Sequence, residues 1–283
     1  MKIGIGSPAA VPWVKAPHIL EWARRADAGP FSTIAIIDRL VFGNYDPLIA
    51  LTAAAAVTQR IRLMTSVLLA PLRTTAILAK QAASLDALSG GRLTLGLGVG
   101  GREDDYTAAQ ADFAHRGTTL TRQVQSMKRI WAGQPAAEGI GAIGPTPARP
   151  GGPELLLGAY SEKAARRVGR LADGFISGGG ADPQRSRQLY QAALESWQQA
   201  GREGKPRYVS AFYVALGPED VIEQGHQYMR AYYGPGRPFF TTPQAILDQV
   251  RAYTGAGVDE LILWAAVPDP SQVDRLSELV AGV

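Results

Sequence analysis

Residues 61–99 read IRLMTSVLLAPLRTTAILAKQAASLDALSGGRLTLGLGV, and this stretch decides the fold. It opens with an apolar run, Leu63 to Leu69, and closes with another, Leu93 to Val99. Neither alternates strictly between polar and apolar residues, which is how parallel strands covered on both faces read. Between them, Leu78, Ala82, Leu85 and Leu88 fall on one side of a helix spanning roughly Thr74 to Leu88. Gly90-Gly91 then supplies the left-handed residue that commonly ends a helix. A strand–helix repeat of about thirty residues is the sequence form of a right-handed crossover between parallel strands.

The same cadence extends in both directions. Upstream, strands are expected from Lys2 and through Ile34-Ala35-Ile36-Ile37. Ile19, Trp22, Ala23 and Ala26 share one face of a helix between them. Asp46-Pro47 is an N-cap and first helical residue for the Ala-rich run to Gln59. Downstream, a helix from Thr119 to Trp131 presents Leu120, Val124, Met127, Ile130 and Trp131 on one face. The stretch from Gln134 to Pro153 is half glycine and proline and reads as a loop. Strands then follow at Glu154 to Tyr160, Gly174 to Ser177, Arg207 to Leu216 and Glu260 to Ala266. Helices are expected at Glu162 to Ala172, Pro183 to Ala200, Val221 to Tyr233, Pro243 to Thr254, and from Pro270 to the end. Eight strands in this order predict an α/β fold, a closed (β/α)8 barrel in one domain over 1–283. An open doubly wound sheet of five or six strands is the alternative.

Composition narrows the function classes. The 29 Lys and Arg against 25 Asp and Glu give a net charge of +4, spread along the chain. Basic pairs such as Arg24-Arg25 and Arg166-Arg167 sit in helical patterns as solvated faces, so no nucleic-acid partner is expected. The chain has no cysteine, which excludes disulfides, thiolate metal sites and cysteine nucleophiles. His18, His115 and His226 share no metal-ligand spacing, so no metal site is expected. No serine lies in a G-x-S-x-G elbow, and no P-loop pattern occurs. Met1 leads straight into a short strand, and no run of 18 apolar residues occurs. The expectation is therefore a cytoplasmic protein without a membrane partner.

The chemistry-bearing motifs cluster where strands end. Gly96-Leu97-Gly98-Val99-Gly100-Gly101 matches the letters of a dinucleotide fingerprint. It lies in the fourth strand, not the first, and Arg102-Glu103-Asp104-Asp105 follows without an evident helix start. Glycines there instead let a bulky group approach the backbone. Gly158-Ala159-Tyr160-Ser161 leads into a helix capped by Ser161, an arrangement suited to an anion. Gly178-Gly179-Gly180 gives a second flexible approach to the same rim. Asp38-Arg39 ends the second strand and Glu103 follows the fourth, so Asp38, Arg39 and Glu103 are the candidate catalytic residues.

Three segments carry a family resemblance. These are Thr65-Ser66-Val67-Leu68-Leu69-Ala70-Pro71, Leu78-Ala79-Lys80-Gln81, and Leu85-Asp86-Ala87-Leu88-Ser89-Gly90-Gly91-Arg92-Leu93. With Arg116-Gly117, the Met127 to Trp131 helix and Ala172-Asp173-Gly174-Phe175, they resemble the bacterial-luciferase-like superfamily. That superfamily holds FMN-dependent monooxygenases and oxidoreductases using the deazaflavin F420. The resemblance implies a TIM barrel, usually dimeric, with the flavin at the strand C-termini. It places a bulge, often with a non-proline cis peptide, at Ser66-Val67 behind the flavin ring. Gly98, Val99 and Gly100 would border the cofactor, Gly158, Ala159, Tyr160 and Ser161 would take its phosphate, and Gly178 would approach from the next strand.

Three departures matter, the first being that luciferases place a phosphate-binding arginine near the end of strand four, where this chain has Val99. Luciferases and F420-dependent sugar-phosphate dehydrogenases carry a functional histidine where this chain has Arg39, and a permanently protonated arginine is a poor base. The segment after the seventh strand is reduced to about Gly217 through Phe240, and its Tyr228, Tyr232, Tyr233, Phe239 and Phe240 would form a lid or aromatic wall. The expected function is a monooxygenase using reduced FMN, supplied by a partner reductase, and oxygen on a small organic substrate. The alternatives are F420-dependent hydride transfer, in which Arg39, Arg73 and Arg102 would meet the acidic F420 tail, and a non-catalytic flavin-binding protein. A flavin-free aldolase or isomerase is disfavoured because no lysine stands at a strand end.

Overall fold

The computed structural model describes residues 1–11, 13–178, 180 and 182–282. Eight parallel strands form the barrel: β1 Lys2–Gly6, β2 Thr33–Ile36, β3 Arg62–Thr65, β4 Leu93–Gly98, β5 Glu154–Gly158, β6 Gly174–Ile176, β7 Arg207–Val214 and β8 Glu260–Ala265. Each pairs with the next, and β8 pairs with both β7 and β1, so the sheet closes on itself. The open-sheet alternative is thereby excluded. Ten helices surround the strands among the described residues: α1 Ala16–Ala28, α2 Pro47–Ala56, α3 Thr75–Leu88, α4 Glu103–Ala108, α5 Arg116–Trp131, α6 Glu162–Leu171, α7 Pro183–Gln199, α8 Glu219–Tyr233, α9 Pro243–Gly255 and α10 Ser271–Val280.

Three expectations need correction. The run Leu63 to Leu69 is not one strand. It breaks at a cis peptide bond between Ser66 and Val67, and Leu68–Leu69 resumes pairing against Leu97 and Gly98. The residues after the glycine-rich stretch do open a helix, α4, directly after Arg102. Glu103, Asp104 and Asp105 fill its first turn, where acidic side chains complement the helix dipole. Leu88 is 75% exposed rather than packed, because in the last turn of α3 the buried stripe has rotated onto Leu85 and Asp86.

Strand periodicity determines what fills the barrel. The register runs Glu154 to Thr94, Thr94 to Met64, Met64 to Ala35 and Ala35 to Gly6, climbing toward the C-terminal ends as a tilted barrel requires. At the N-terminal end lies a polar floor. Arg207 donates to both Glu154 and Glu260, Glu260 also accepts from Thr33 and Ser32, and Glu154 accepts from Thr94 and Arg62. The middle layer is aliphatic, with Ala35, Met64, Leu156, Ile176, Val209 and Ile262 packed together. The top is hollowed by glycines: Gly6 gives room to the Trp264 ring, and Gly98 to Val67. A larger apolar layer separates the outer faces of the strands from the helices.

The floor carries the first prediction. Burial alone would raise the Glu154 carboxyl, but Arg207, Thr94 and Arg62 outweigh it and hold the group below its ordinary value. Arg207→Met removes the cation shared by two buried carboxylates and is expected to cost about 3–5 kcal/mol. Urea unfolding checks this, and Arg207→Met/Glu260→Gln should recover part of the loss by removing one unpaired charge.

Candidate active site at the strand ends

Barrel enzymes place their chemistry at the C-terminal ends of the strands, and here that face has three distinct parts. The first is a glycine-lined ledge. Val67 follows the cis bond and stands half-buried at the end of β3. A Cβ on Gly98 would collide with its Cγ2, and one on Gly158 would lie 3.2 Å from its Cγ1. The ends of β4 and β5 are therefore bare backbone, with Val67 lying across them. Gly100 has φ +68 and turns the chain outward, while Val99 is pinned through its carbonyl by the hydroxyl of Tyr106. Burial pushes that hydroxyl up to about 12, so it stays a donor. Ser66 is half-buried, and its amide bonds to the Ile36 carbonyl at 2.7 Å.

The second part is the turn from β5 into α6. Ser161 caps α6 as expected, its hydroxyl accepting from the Ala164 amide at 3.4 Å. Ala159 is not available to an anion, because its N–H bonds to the Ile176 carbonyl at 3.3 Å. Tyr160 is 74% exposed, and its phenol lies against Gly178, where any side chain would overlap it. Gly180 is met in the same way by the guanidinium of Arg237. Gly179, which completes the triple glycine, lies outside the described residues.

The third part is a cover. Helix α8 lies over the barrel mouth and contributes Tyr228, Tyr232 and Tyr233. Tyr228 is buried against Trp13, with ring centroids 6.0 Å apart, and Tyr232 meets Phe42 at 4.5 Å. Tyr233 packs on Tyr213 at 4.8 Å, and its hydroxyl lies 3.3 Å from that of Tyr228. Burial, with the neighbouring phenols, raises the Tyr213 and Tyr228 hydroxyls well above their ordinary range, so they remain protonated. Phe239 and Phe240 form a short strand on Tyr213 and Val214; from it Phe239 packs against Gly225 and His226 of α8, while Phe240 meets Phe212 instead of joining the cover. Trp13, Phe42, Tyr213 and Arg237 escaped the sequence reading, since they are brought together from the ends of three different strands, β1, β2 and β7.

The candidate catalytic residues fare differently. Asp38 is buried and accepts from the Leu69 amide and from Arg73, each at 2.9 Å. Arg39 is bound to Asp105 at 2.6 Å and lies 3.7 Å from Asp104. Asp105 also accepts from the amides of Leu40 and Val41 at 3.0 and 2.7 Å. Glu103 is exposed at the start of α4. The structure thus ties Asp38 and Arg39 into ion pairs that fasten the loops after β2, β3 and β4, and does not join Glu103 to them. Two surface cavities, of about 250 and 580 Å³, lie outside the barrel on α6 and α7. Their linings include none of the strand-end residues, so they are separate from this face. Among the described residues no cluster of His, Asp and Glu could hold a metal, and no helix is long and apolar enough to cross a membrane.

This face and fold match a known group of proteins. The family model described as luciferase-like monooxygenase matches residues 1–245. The chain belongs to that family. An uncharacterized protein of Mycobacterium tuberculosis is 34% identical over 216 residues, covering 74% of this chain and 73% of its own. An F420-dependent glucose-6-phosphate dehydrogenase of Nocardia farcinica is 30% identical over 199 residues, covering 65% of this chain and 54% of its own. Among solved structures, a monooxygenase from Streptomyces bottropensis superposes with a TM-score of 0.82 at 21% identity, over 99% of this chain and 98% of its own. An F420-dependent secondary alcohol dehydrogenase gives the same TM-score at 15% identity, again over 99% and 98%. This luciferase-like chain is thus a member of a superfamily of flavin-binding oxidoreductases that use FMN or F420. The bare backbone of β4 and β5, with Val67 across it, suits the flat ring such enzymes bind.

The Asp105 knot yields a pH prediction. Burial would raise the Asp105 pKa, but Arg39 and the Val41 and Leu40 amides together lower it. A depressed folded pKa means the stabilisation is fully present above the ordinary value of 3.8 and is lost as pH falls through the folded value. Asp105→Asn should cost about 1.5–3 kcal/mol near neutrality, the range for hydrogen bonds to charged groups. In urea titrations at several pH values, the gap between the variant and the parent should close as the pH drops below that value.

Proposed function

We propose that this luciferase-like protein is an F420-dependent oxidoreductase that moves a hydride from the reduced deazaflavin to the carbon of a small carbonyl compound, whose oxygen takes a proton from a phenol replenished by water. The observation that carries this reading is the pairing of Asp38, after β2, and Asp105, after β4, with arginines, which leaves protonated tyrosines facing the mouth. Asp38 and Asp105 are engaged, and Arg39 stays charged, so no residue there is a ready base for deprotonating a carbon acid. Neutral phenols instead donate hydrogen bonds, which is what a carbonyl oxygen gaining negative charge requires. The relative with an assigned activity that is 30% identical is itself an F420-dependent dehydrogenase, which favours the deazaflavin over the reduced FMN expected from the sequence.

The cofactor, when bound, supplies two-electron transfer, and the chain supplies binding, orientation and control of water. Val67, Gly98 and Gly158 would back the ring. Gly100 would leave its edge open. Helix α8 would cover the opposite side, with Tyr233 and Tyr213 presenting hydroxyls toward the substrate and the apolar rings of Tyr228 and Phe42 excluding water. Asp38 and Arg39 are assigned positioning roles, holding the loops that carry Leu69, Leu40 and Val41, and Glu103 is left without a part in the reaction.

Anaerobic fluorescence titration with F420 and with FMN, followed by admission of oxygen, tests this. F420 should bind at least tenfold more tightly, and its reduced form should reduce a panel of small aldehydes and ketones without oxygen uptake. Preference for FMN with oxygen consumption and an oxygenated product would replace hydride transfer by monooxygenation. Tight binding with no turnover under any donor would make the chain a flavin carrier.

A further inference from the structure

Helix α5 buries Leu120, Val124, Met127, Ile130 and Trp131, and one amide lies among them. Gln123 is 5% exposed and reaches the segment that follows β3. Its Nε2 donates to the Ala70 carbonyl at 3.1 Å and to the Arg73 carbonyl at 2.8 Å. Both protons of the amide are thereby used, while its Oε1 is buried with no hydrogen-bond partner. A buried acceptor left unpaired works against stability, and an apolar side chain of the same length would fill the space without it. The two donors are what set Gln123 apart from an apolar residue at this place.

The segment these donors hold carries Val67. Residues 66–73 cross from the end of β3 to the start of α3, and Leu68–Leu69 pair with Leu97 and Gly98 on the way. Asp38 holds this segment from the side of β2, through the Leu69 amide and the Arg73 guanidinium, each at 2.9 Å. Gln123 holds it from α5, through the carbonyls at either end of the short helical turn Ala70–Leu72. The Arg73 amide donates to the Ala70 carbonyl at 2.9 Å and closes that turn. The two tethers thus take opposite polar groups, Asp38 accepting from donors and Gln123 donating to acceptors. Val67, at the head of the segment they fix, lies over Gly98 and Gly158 so closely that its methyls meet the positions a Cβ would take on either glycine.

We infer that Gln123 is a positioning residue for the flavin ring, acting from outside the barrel: by fixing the carbonyls of Ala70 and Arg73 it sets where Val67 stands over the bare ends of β4 and β5. This rests on the flavin reading of the site but not on the choice between FMN and F420. Gln123 lies on α5, behind the segment, so its effect on the ring passes through Val67. Loss of its two donors frees the turn to shift while the apolar packing of α5 stays in place. Val67 then no longer meets the ring at one height, and ring binding weakens although the fold persists.

Gln123→Met matches the side chain in length and removes both donors. Whichever ring the parent binds, FMN or F420, fluorescence titration should show it held about tenfold more weakly by the folded variant, and the visible circular dichroism of the bound ring should change. Urea unfolding should leave the midpoint within about 0.5 M of the parent, since the orphaned oxygen is lost together with the two bonds. A double-mutant cycle with Val67→Ala tests the path of the effect. Acting through Val67, the two changes combined should lose no more ring affinity than the weaker-binding single variant, instead of the product of their separate losses. Gln123→Asn, which keeps the amide but draws it back by one methylene, should weaken the ring as well, and it supplies the cycle if the Met variant does not fold. Multiplying losses in the double variant would overturn the inference, as would a parent that binds neither ring. A lowered urea midpoint with unchanged ring affinity would make Gln123 a tether of the fold alone and would overturn it too. If FMN binds with oxygen consumption in place of F420 and the cycle is still non-additive, the hydride-transfer reading fails while the role of Gln123 stands.

Discussion

The pairing of Lys2–Ile5 with Glu260–Leu263 closes the sheet, and the remaining structure follows from that closure. Once the ring is shut, every strand has one face inside and one outside, and a one-residue slip would exchange them. The interior set then has a fixed vertical order. Charged and hydroxyl side chains lie at the N-terminal end, branched aliphatics in the middle, and glycines at the C-terminal end. Buried charge is tolerated at the floor because Arg207 meets two carboxylates and the remaining oxygens find Thr33, Ser32, Thr94 and Arg62. The opposite end is left open by the absence of side chains. Space for a cofactor is thus a consequence of where the glycines fall in the strand period, not of a separate cavity.

Charge at the rim is organised by the same economy of partners. Asp38, Asp46 and Arg73 tie the loops after β2 and β3 together, and Arg39 with Asp104 and Asp105 ties the loop after β2 to α4. Each ion pair spans two strand-end segments, so the rim is rigid on the β2–β4 side. The β5–β6 side has no such knot among the described residues. There the rim holds a capped helix start, an exposed tyrosine, paired glycines and one arginine stacked on an aromatic ring. One half of the mouth is tied by ion pairs, and the other is not.

Most of the fold was legible in the sequence because it rests on local periodicity. Leu93 to Gly98 reads as a buried strand, Asp46-Pro47 as a helix start and Ser161 as a cap, and each forms as read. The break at Ser66-Val67 was visible only through family resemblance, since nothing in the apolar run marks it. α4 was missed because three consecutive acids read as a polar loop until their place at a helix N-terminus is known. The site was legible in part. Glycine positions carried over, but the roles of Asp38 and Arg39 could not be read without Arg73 and Asp105, which lie 35 and 66 residues away. Long-range charge pairing has no sequence period, so a strand-end acid looks the same whether it is free or neutralised.

The segment between β7 and the short strand at Phe239–Phe240 shows why a fold shared at a TM-score of 0.82 does not by itself fix a reaction. The barrel strands are constrained by closure and tolerate little change in their inward residues. The covering segment is constrained only at its ends, by β7 and by the pairing of Tyr213 and Val214 with Phe239 and Phe240. Between these anchors the chain can present any side chains to the mouth without disturbing the barrel. Here it presents three tyrosines and an arginine, while His226 packs edge-on against Phe239, with ring centroids 5.0 Å apart. A cover made of phenols and one guanidinium donates hydrogen bonds and positive charge but accepts no proton readily. Donors of that kind suit the proposed hydride transfer, in which a carbonyl oxygen gains negative charge.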